Sequence, residues 1–521
     1  MRFRHLITLA LLFVATDAAA GKPVYRIAEV RALSPEMQRE FAALKYLMTD
    51  QEQREFLEAP DHKTRQDLVR RFWVRNDPEP TTPGNSMRVE HYERVEWARA
   101  DYGENTWPGW DVRGEMLIRY GPPDYTGHIQ GEVSPSGYSP PSELWYYKLH
   151  NMVIAFEDFE GKGHYKLAIS SSGPYRYLTP EIVEFLLLDE NPAYNGIIPA
   201  NLLDSNYVKP DRRRSTVERQ SLMERGRDMA GNTQQIFEEH LSTYDFNFEK
   251  EKRFPFFFDT NRFSAGEEAT RLDVDCEFIV ERDAENPGER TITASAVIFD
   301  HAYNEVDNMV SDIRVDPSDA TWARLVPIQL TGTVPPGKYH IAVSLYEENT
   351  ERTSAFWTDV DCTGFADTLA VSDILFAQRI SDSAETGSPF ARGSVVVVPH
   401  PVRRYIKGGS LPVYFEIYNL VRDDVGRAEY EIEYRIVPRS GKRTSFLDRF
   451  HGSPTVVSSR FTSSSQGTSD AVHFTVHTEN LEPGLYDFLV SIKDTWTQTL
   501  AWREASFRIQ QGAITLDEFK E

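Results

Sequence analysis

The chain has 521 residues, with 57 Lys and Arg against 80 Asp and Glu, which gives a formal net charge of −23 at pH 7. A chain this acidic repels phosphate backbones and anionic membrane surfaces, so we expect no nucleic-acid partner. The length exceeds that of one ordinary domain, and 40% hydrophobic residues favour several folded domains over a disordered chain.

The N-terminus has the organisation of a secretory signal peptide, which we place at residues 1–20. Arg2 and Arg4 precede a short apolar core at 6–14, and Ala18-Ala19-Ala20 offers a cleavage site. The core is too short to span a bilayer stably, and no later run reaches roughly 18 apolar residues. We therefore expect an exported chain, periplasmic or extracellular, with no transmembrane span after signal removal; an uncleaved N-terminal anchor is the alternative.

Helices are predicted from about residue 34 to residue 102. Ser34 before a proline, the capping box Thr49-x-x-Glu52 and the Asn-Ser pair at 85–86 are typical helix starts. The stretch 108–124 that follows opens and closes with turns.

Within that stretch Met116, Ile118 and Tyr120 alternate with residues of the opposite face, which predicts a short strand. Further strand patterns cover residues 144–149, 152–157 and 165–170. We therefore predict an α+β domain at 21–173, with helices on one face of a small antiparallel meander.

Residues 174–252 are predicted to form a helical linker, or else helices that pack on the first domain. From residue 253 onward the pattern is β, and Pro336-Gly337-x-Tyr339 recurs as Pro483-Gly484-x-Tyr486. Each half has the size of an immunoglobulin-like sandwich, so the fold class is multidomain with two tandem all-β sandwiches. The predicted boundaries are a first sandwich at 253–369, a connecting segment at 370–400, a second sandwich at 401–511 and a tail at 512–521.

Two cysteines remain, Cys276 and Cys362, on either side of most of the first predicted sandwich. An even count in an exported chain permits a disulfide. Two isolated buried thiols are an equally good interpretation.

No motif for a catalytic nucleophile, a P-loop or a zinc site occurs, and we expect no cofactor and no catalytic residue. His91 could pair with a neighbouring carboxylate, Glu90 or Glu93, as an acid–base couple. It shares a helical face with Met87 and Val95, however, which favours a half-buried structural histidine.

The carboxylate of Asp124 beside Arg113 and Arg119 could bind a polar ligand, and fixing a turn is the favoured interpretation. Exposed aromatic residues could instead grip a sugar or a peptide, although a core role is favoured for the set that comprises Trp107, Trp110, Tyr120, Tyr125, Trp145, Tyr146 and Tyr147.

One stretch matches the first half of a calcium-binding loop, with oxygen ligands at alternate positions and a glycine at position six. Its candidate ligands are Asp359, Asp361, Thr363 and Asp367. Ala370 stands where the bidentate glutamate belongs, so this is a weak candidate, and we predict no metal site.

The chain resembles the GWxTD-domain family of exported bacterial proteins, most specifically over residues 46–170. The residues that carry the resemblance, called the signature residues below, are Trp73, Asp77, His91, Gly109, Trp110, Arg113, Gly114, Tyr120, Gly121, Pro122, Asp124 and Trp145. The Thr-Asp of the motif is absent, and Asp111-Val112 stands in its place. The resemblance implies an exported protein of undefined biochemical function and supplies no catalytic residues.

We therefore expect a cell-envelope protein that takes part in protein–protein interaction or scaffolding and is not an enzyme. The alternative is an envelope hydrolase or a carbohydrate-binding protein with its site in the N-terminal α+β domain. The oligomeric state stays open.

Overall fold

The computed structural model describes residues 25–134, 137–168, 175, 177–187, 196–203, 216–238, 253–266, 268–280, 288–316, 324–348, 350, 352–362, 364–365, 367–382, 387–439, 446, 449–450 and 455–512. These residues form two compact units, and the chain is β-rich with several antiparallel sheets. The N-terminal unit contains residues 25–77 and 85–238, and the β unit contains 78–84 and 253–512. The predicted signal peptide lies outside the described residues.

Nine helices with defined bounds lie in the described part of the N-terminal unit. They are α1 (Ile27–Arg31), α2 (Pro35–Leu44), α3 (Asp50–Glu58), α4 (His62–Arg75), α5 (Ser86–Asp101), α6 (Val112–Tyr120), α7 (Pro180–Leu187), α8 (Ala200–Leu203) and α9 (Thr216–Glu238). The predicted caps are present: the side chains of Ser34, Thr49 and Asn85 accept backbone N–H groups of their helices. None of the helices in the described ranges combines the length and the hydropathy that crossing a bilayer needs.

The predicted strand at residues 116–120 is wrong, because this segment is helix α6. The Asp111 carboxylate accepts N–H groups of Arg113 at 2.8 Å and Gly114 at 3.2 Å, and so caps the helix. Gly121 ends it with a φ of 75°. An alternation of five residues does not separate a strand from a short helix that is buried nearly all round, as this one is.

A small antiparallel sheet in the order β1-β4-β5-β6 lies in the middle of the N-terminal unit. The strands of this unit, including a separate β2–β3 pair, are β1 (Tyr125–Ile129), β2 (Glu132–Ser134), β3 (Gly137–Ser139), β4 (Ser142–Tyr147), β5 (Met152–Glu157) and β6 (Lys166–Leu167). One face of β4 and β5 packs with α5 and α6, and Trp145 and Phe156 belong to this core. The predicted meander is therefore present, but its first strand is β1.

The other face of this sheet is covered by helices from the predicted linker. Ile182 of α7 and Met229 of α9 share a core with Tyr146 and Val153. The Thr233 hydroxyl also accepts the N–H of Val153 at 3.1 Å and donates to its carbonyl at 2.8 Å. The contacts favour the alternative that these helices pack on the first domain.

The first half of the β unit consists of two antiparallel sheets around one core, in the orders β11-β8-β7 and β10-β9-β12-β13. Its strands are β7 (Phe256–Ser264), β8 (Thr270–Val280), β9 (Arg290–Phe299), β10 (Glu305–Val315), β11 (Arg324–Val334), β12 (Gly337–Glu347) and β13 (Arg352–Cys362).

The second half repeats this sandwich-like arrangement, with a sheet β14-β19-β15-β17-β16, in which β22 also pairs with β19, and a sheet β18-β24-β23-β20-β21. Its strands are β14 (Ala370–Val371), β15 (Leu375–Ser381), β16 (Ala391–Arg392), β17 (Val395–Pro399), β18 (Arg404–Ile406), β19 (Ser410–Tyr418), β20 (Ala428–Pro438), β21 (Val457–Ser465), β22 (Asp470–His477), β23 (Gly484–Asp494) and β24 (Leu500–Gln510). The predicted connecting segment 370–400 thus supplies strands of this sandwich.

The two Pro-Gly-x-Tyr repeats adopt the same geometry. The Tyr339 hydroxyl donates to the carbonyl of Pro335 at 2.8 Å, and the Tyr486 hydroxyl donates to that of Glu482 at 2.8 Å. Each bond joins a tyrosine to the residue four positions earlier, so each ring pins the turn that leads into its strand.

The disulfide left open by the sequence does not form, since Cys276 and Cys362 are free thiols. Both are buried in the core of the first sandwich, in different sheets. Cys276 lies in the middle of β8 and Cys362 is the last residue of β13. Burial raises the pKa of the Cys276 thiol, so it behaves as a small apolar side chain.

Candidate functional site

Two of the signature residues, Trp73 and His91, are fully enclosed in the core of the N-terminal unit. Their rings lie 5.4 Å apart, and the imidazole is hydrogen-bonded to the backbone of Ala43. Burial, together with the nearby Arg94 guanidinium, lowers the pKa of His91 to about 3. His91 is therefore neutral at physiological pH and has no exposed surface at which to exchange a proton with a substrate.

Arg113 connects the start of α6 to the sheet. Its guanidinium donates to Asp111 at 2.7 Å and to Glu143 at 3.1 Å, and it lies 3.9 Å from the centre of the Tyr165 ring. Glu143 in turn accepts the indole N–H of Trp145 at 2.7 Å. The charged groups of this cluster pair with one another, so the cluster holds α6 to the sheet and is not a ligand site.

The signature glycines allow close packing at both ends of α6. A Cβ on Gly114 would lie 2.7 Å from the Cβ of Trp110, whose indole donates to the Tyr46 hydroxyl at 3.0 Å. A Cβ on Gly121 would lie 2.9 Å from the buried guanidinium of Arg94, and its φ is positive as well. Gly109 adopts a φ of 106° in open surroundings, so its role is conformational.

The remaining signature residues support turns and ring packing. The Asp124 carboxylate accepts the N–H of Lys148 at 2.7 Å and so fixes a turn. The predicted grouping with two arginines is wrong, because Arg113 pairs with Asp111 and Glu143, and Arg119 pairs with Glu115. The Tyr120 ring lies 6.0 Å from Tyr147 in the core, Pro122 is exposed in the turn, and Asp77 is half-buried at the end of α4. The signature is thus mainly a set of residues that hold helices to a sheet.

A cavity of about 320 Å³ lies elsewhere in the N-terminal unit, between α1, α2 and the start of α4. Its lining residues are Glu29, Ala32, Leu33, Ser34, Met37, Leu57, His62 and Arg65. None of the signature residues lines it. The Arg65 guanidinium donates to backbone carbonyls of Phe56 and Ala59, so it closes the wall of the cavity rather than facing a ligand.

The calcium candidate does not adopt a loop. Asp359 and Asp361 belong to strand β13, where an extended backbone cannot wrap both carboxylates round one ion; Thr363 lies outside the described residues, and Asp367 lies beyond the strand. The Asp359 carboxylate lies 2.6 Å from Nδ1 of His340. Within the described ranges no group of three or more His, Cys, Asp or Glu is arranged to hold a metal ion.

A buried polar group that the sequence analysis missed joins the two sandwiches. Leu272, Val274, Cys276 and Phe278 of β8 face the first core, whereas the alternating Asp273, Asp275 and Glu277 face the second sandwich and are completely buried. Arg392 forms an ion pair with Asp273 and is also buried. His400 lies 2.9 Å from Glu277 through Nδ1, and this carboxylate raises the pKa of the imidazole although burial by itself would lower it.

Asp275 occupies the centre of this group. Its carboxyl oxygens accept side-chain N–H groups of Asn261 at 2.9 Å and Gln329 at 2.6 Å. Burial and the neighbouring Asp273 raise the pKa of Asp275 to about 7. The group is buried and couples the two sandwiches.

A second missed feature is the tip of the β23–β24 hairpin, where Trp496, Leu500 and Trp502 are exposed by 59%, 61% and 47%. We call these three residues the tip patch. Leu500 and Trp502 occupy alternate positions of β24 and therefore face the same side of the sheet. The Trp502 ring stacks on Phe446 at 4.2 Å.

The turn that carries Trp496 is held by one buried carboxylate. Asp494 accepts the N–H groups of Trp496 and Thr497 at 2.9 Å, and also that of Val421 at 2.9 Å. Burial alone would raise the pKa of Asp494, but these backbone donors lower it below its ordinary value. The turn is therefore rigid, and it presents an indole to solvent.

No family model matches the chain, and no curated protein matches it. Among solved structures, it is similar to Bacteroides uniformis beta-glucuronidase over 47% of its length and 26% of that chain, at 9% identity and a TM-score of 0.18. A calcium binding mutant of Bacteroides uniformis beta-glucuronidase 2 is similar over 47% and 27%, at 9% identity and a TM-score of 0.16. The alignments span only about a quarter of those chains, and likeness this low carries no argument about fold or activity.

Proposed function

We propose that the chain is an exported, non-enzymatic protein of the GWxTD type, which docks another protein of the cell envelope through the tip patch. In this proposal the N-terminal unit is the GWxTD-type α+β domain, and the β unit consists of two tandem immunoglobulin-like sandwiches. The sandwiches act as a rigid support for the docking surface.

The observation that carries the proposal is the exposure of the tip patch on a rigid hairpin. Three large apolar side chains at the end of one hairpin, each about half exposed, together present on the order of 300 Å² of apolar surface. Because the Asp494 bonds already order the turn, binding costs little additional conformational entropy. Tryptophan is also the residue type most often found at the energetic centre of interfaces.

The partner is expected to be a folded protein with an apolar pocket for Trp496. The net charge of −23 disfavours nucleic acid and anionic lipid as the occupant. The hydrolase alternative loses its best candidate residue, because the His91 imidazole is neutral and enclosed in the core and is therefore a poor acid–base group.

The test is site-specific photo-crosslinking in envelope preparations, with the photoreactive residue placed at Trp496 or, as a control, at Val425. Val425 is an apolar residue of the same sandwich that is 82% exposed in a turn outside the tip patch. We expect one protein to be crosslinked from position 496 and not from position 425. Crosslinking to that protein from both positions, or from neither, would contradict the proposal.

The identified protein is then purified and its affinity for the variants is measured. Trp496→Ala is expected to weaken binding by about tenfold or more, as for a central interface tryptophan, whereas Val425→Ala leaves it unchanged. Both side chains are exposed, so neither change should alter the melting temperature. Equal effects of the two substitutions, or binding of glycans instead of a protein, would argue against the proposed function.

A further inference from the structure

Strand β21 forms one edge of the sheet β18-β24-β23-β20-β21. It pairs with β20 over nine residues, and no other described strand pairs with it. Along its outer side, the backbone groups that do not point toward β20 are available to another strand.

This edge lacks the usual protection against pairing with another chain. The sequence Val457-Ser-Ser-Arg-Phe-Thr-Ser-Ser-Ser465 contains neither proline nor lysine, and Arg460 is its one charged residue. By contrast, edge strand β10 of the first sandwich carries four charges, at Glu305, Asp307, Asp312 and Arg314. Edge strands of natural monomers are generally blocked by such charges, so β21 is the less guarded of the two.

Apolar surface lies beside the free edge. Phe461, at the centre of β21, is 38% exposed, and its ring lies 6.2 Å from Phe474 of β22. Phe474 stacks on Tyr434 at 4.9 Å, so the exposed phenyl ring continues the aromatic core of the second sandwich. A strand that paired with β21 would cover this ring as well as satisfy the backbone groups.

The sequence of β21 reads nearly the same in both directions from Phe461. Antiparallel pairing of two copies about this residue puts Ser458 opposite Ser464 and Ser459 opposite Ser463, with Phe461 opposite its own copy. Arg460 then falls opposite Thr462, so no two like charges are directly opposed although the whole chain has a net charge of −23. This self-complementarity is the reason to favour a second copy over an unrelated strand.

We propose that β21 is a homodimerisation edge, at which two copies of the chain join their sheets by antiparallel β21–β21 pairing centred on Phe461. The interface is isologous, as expected for a two-fold dimer. It is separate from the tip patch, and it stands or falls independently of the proposed docking function.

The register is tested by cysteine crosslinking of the full mature chain under mild oxidation. Phe461→Cys is expected to give a covalent dimer on a non-reducing gel, because the two-fold axis brings residue 461 opposite itself. Thr462→Cys is the matched control, since its side chain faces the other side of the sheet and meets Arg460 of the partner. Both native cysteines are buried. Equal crosslinking of the two variants would overturn the register.

The affinity is tested by sedimentation velocity with a charge swap at one exposed position. Thr462→Lys puts a second positive charge opposite Arg460 of the partner, twice per dimer, and is expected to weaken dimerisation by about tenfold or more. Within its own chain the lysine lies opposite Glu431, so the fold is not endangered. Thr462→Glu should strengthen dimerisation instead. Because this glutamate faces Glu431 within its own chain, its dimerisation is measured at a temperature at which its melting curve shows it folded. A chain that is monomeric at all concentrations, or equal effects of the two substitutions, would overturn the proposal.

Discussion

The buried polar group between the two sandwiches, called the joint below, leads to a prediction about Asp275. Its pKa of about 7, against 3.8 for an ordinary aspartate, means that the folded chain holds a proton at pH 6 that the unfolded chain releases. A raised carboxyl pKa contributes stability that is fully present below pH 4 and is lost as the pH rises through 7. At pH 8 the difference between the two pKa values corresponds to a free energy of unfolding that is roughly 4 kcal/mol lower than below pH 4.

Asp275→Asn keeps the shape of the side chain and removes this titration. The amide oxygens of Asn261 and Gln329 are buried and have no partner among the described residues, so either can accept the new N–H donor after an amide flip. We expect the free energy of unfolding of the β unit to lose its decline between pH 4 and 8, and the variant to be more stable than wild type at pH 8 by up to several kcal/mol.

The assay is urea unfolding followed by the signal of the β unit at a series of pH values, with Asp424→Asn, an exposed aspartate of the same unit, as the matched control. The control should follow the wild-type curve at every pH. If Asp275→Asn also follows that curve, or if it is less stable than wild type at pH 8, the assignment of a protonated carboxyl to the joint is refuted.

Three further predictions address the folding roles of buried residues. Arg392→Met removes the buried countercharge of Asp273 and leaves this carboxylate paired with the partly exposed Arg271. It should cost about 3 kcal/mol of β-unit stability in urea unfolding, whereas the exposed Arg379→Met should cost little; equal losses would contradict the role of Arg392 between the sandwiches. Gly121→Ala should lower the stability of the N-terminal unit by more than Gly163→Ala, because both have positive φ and only Gly121 faces a guanidinium; a larger loss at Gly163 would be the contrary result. A histidine with a lowered pKa makes the free energy of unfolding fall as the pH drops from 6.5 to about 3, so His91→Gln should make this fall smaller. An unchanged dependence on pH in this range would show that His91 is not buried and neutral.

Features with local sequence signals were predicted well. Ser34 and Thr49 cap helices because a short polar side chain just before an apolar periodic run can accept the backbone N–H groups of the first turn. The recurrence of Pro-Gly-x-Tyr is an equally local signal, and the tyrosines of both copies make the same bond in the structure. The short helix α6 was missed because five alternating residues fit a strand as well as a buried helix.

The joint and the tip patch could not be predicted, because they depend on which surface another element covers. Asp273, Asp275 and Glu277 alternate with apolar residues as on a strand with one face in water, and only the packing of the second sandwich makes them buried. Nothing in the sequence distinguishes Trp496 and Trp502 from buried tryptophans, because their exposure depends on the hairpin and on which elements pack against it. The candidate binding surface therefore lies outside the signature residues, which hold α6 in place.

In the proposed function the tip patch binds the partner, and the signature residues hold the fold of the N-terminal unit. The most direct test compares Trp496→Ala with Trp110→Ala, measuring the affinity for the crosslinked partner and the unfolding free energy of each. We predict that Trp496→Ala loses affinity by about tenfold or more at unchanged stability. Trp110→Ala should instead lose roughly 3–5 kcal/mol of stability in the N-terminal unit while its folded fraction binds normally. Loss of affinity in folded Trp110→Ala, with Trp496→Ala binding like wild type, would contradict the account.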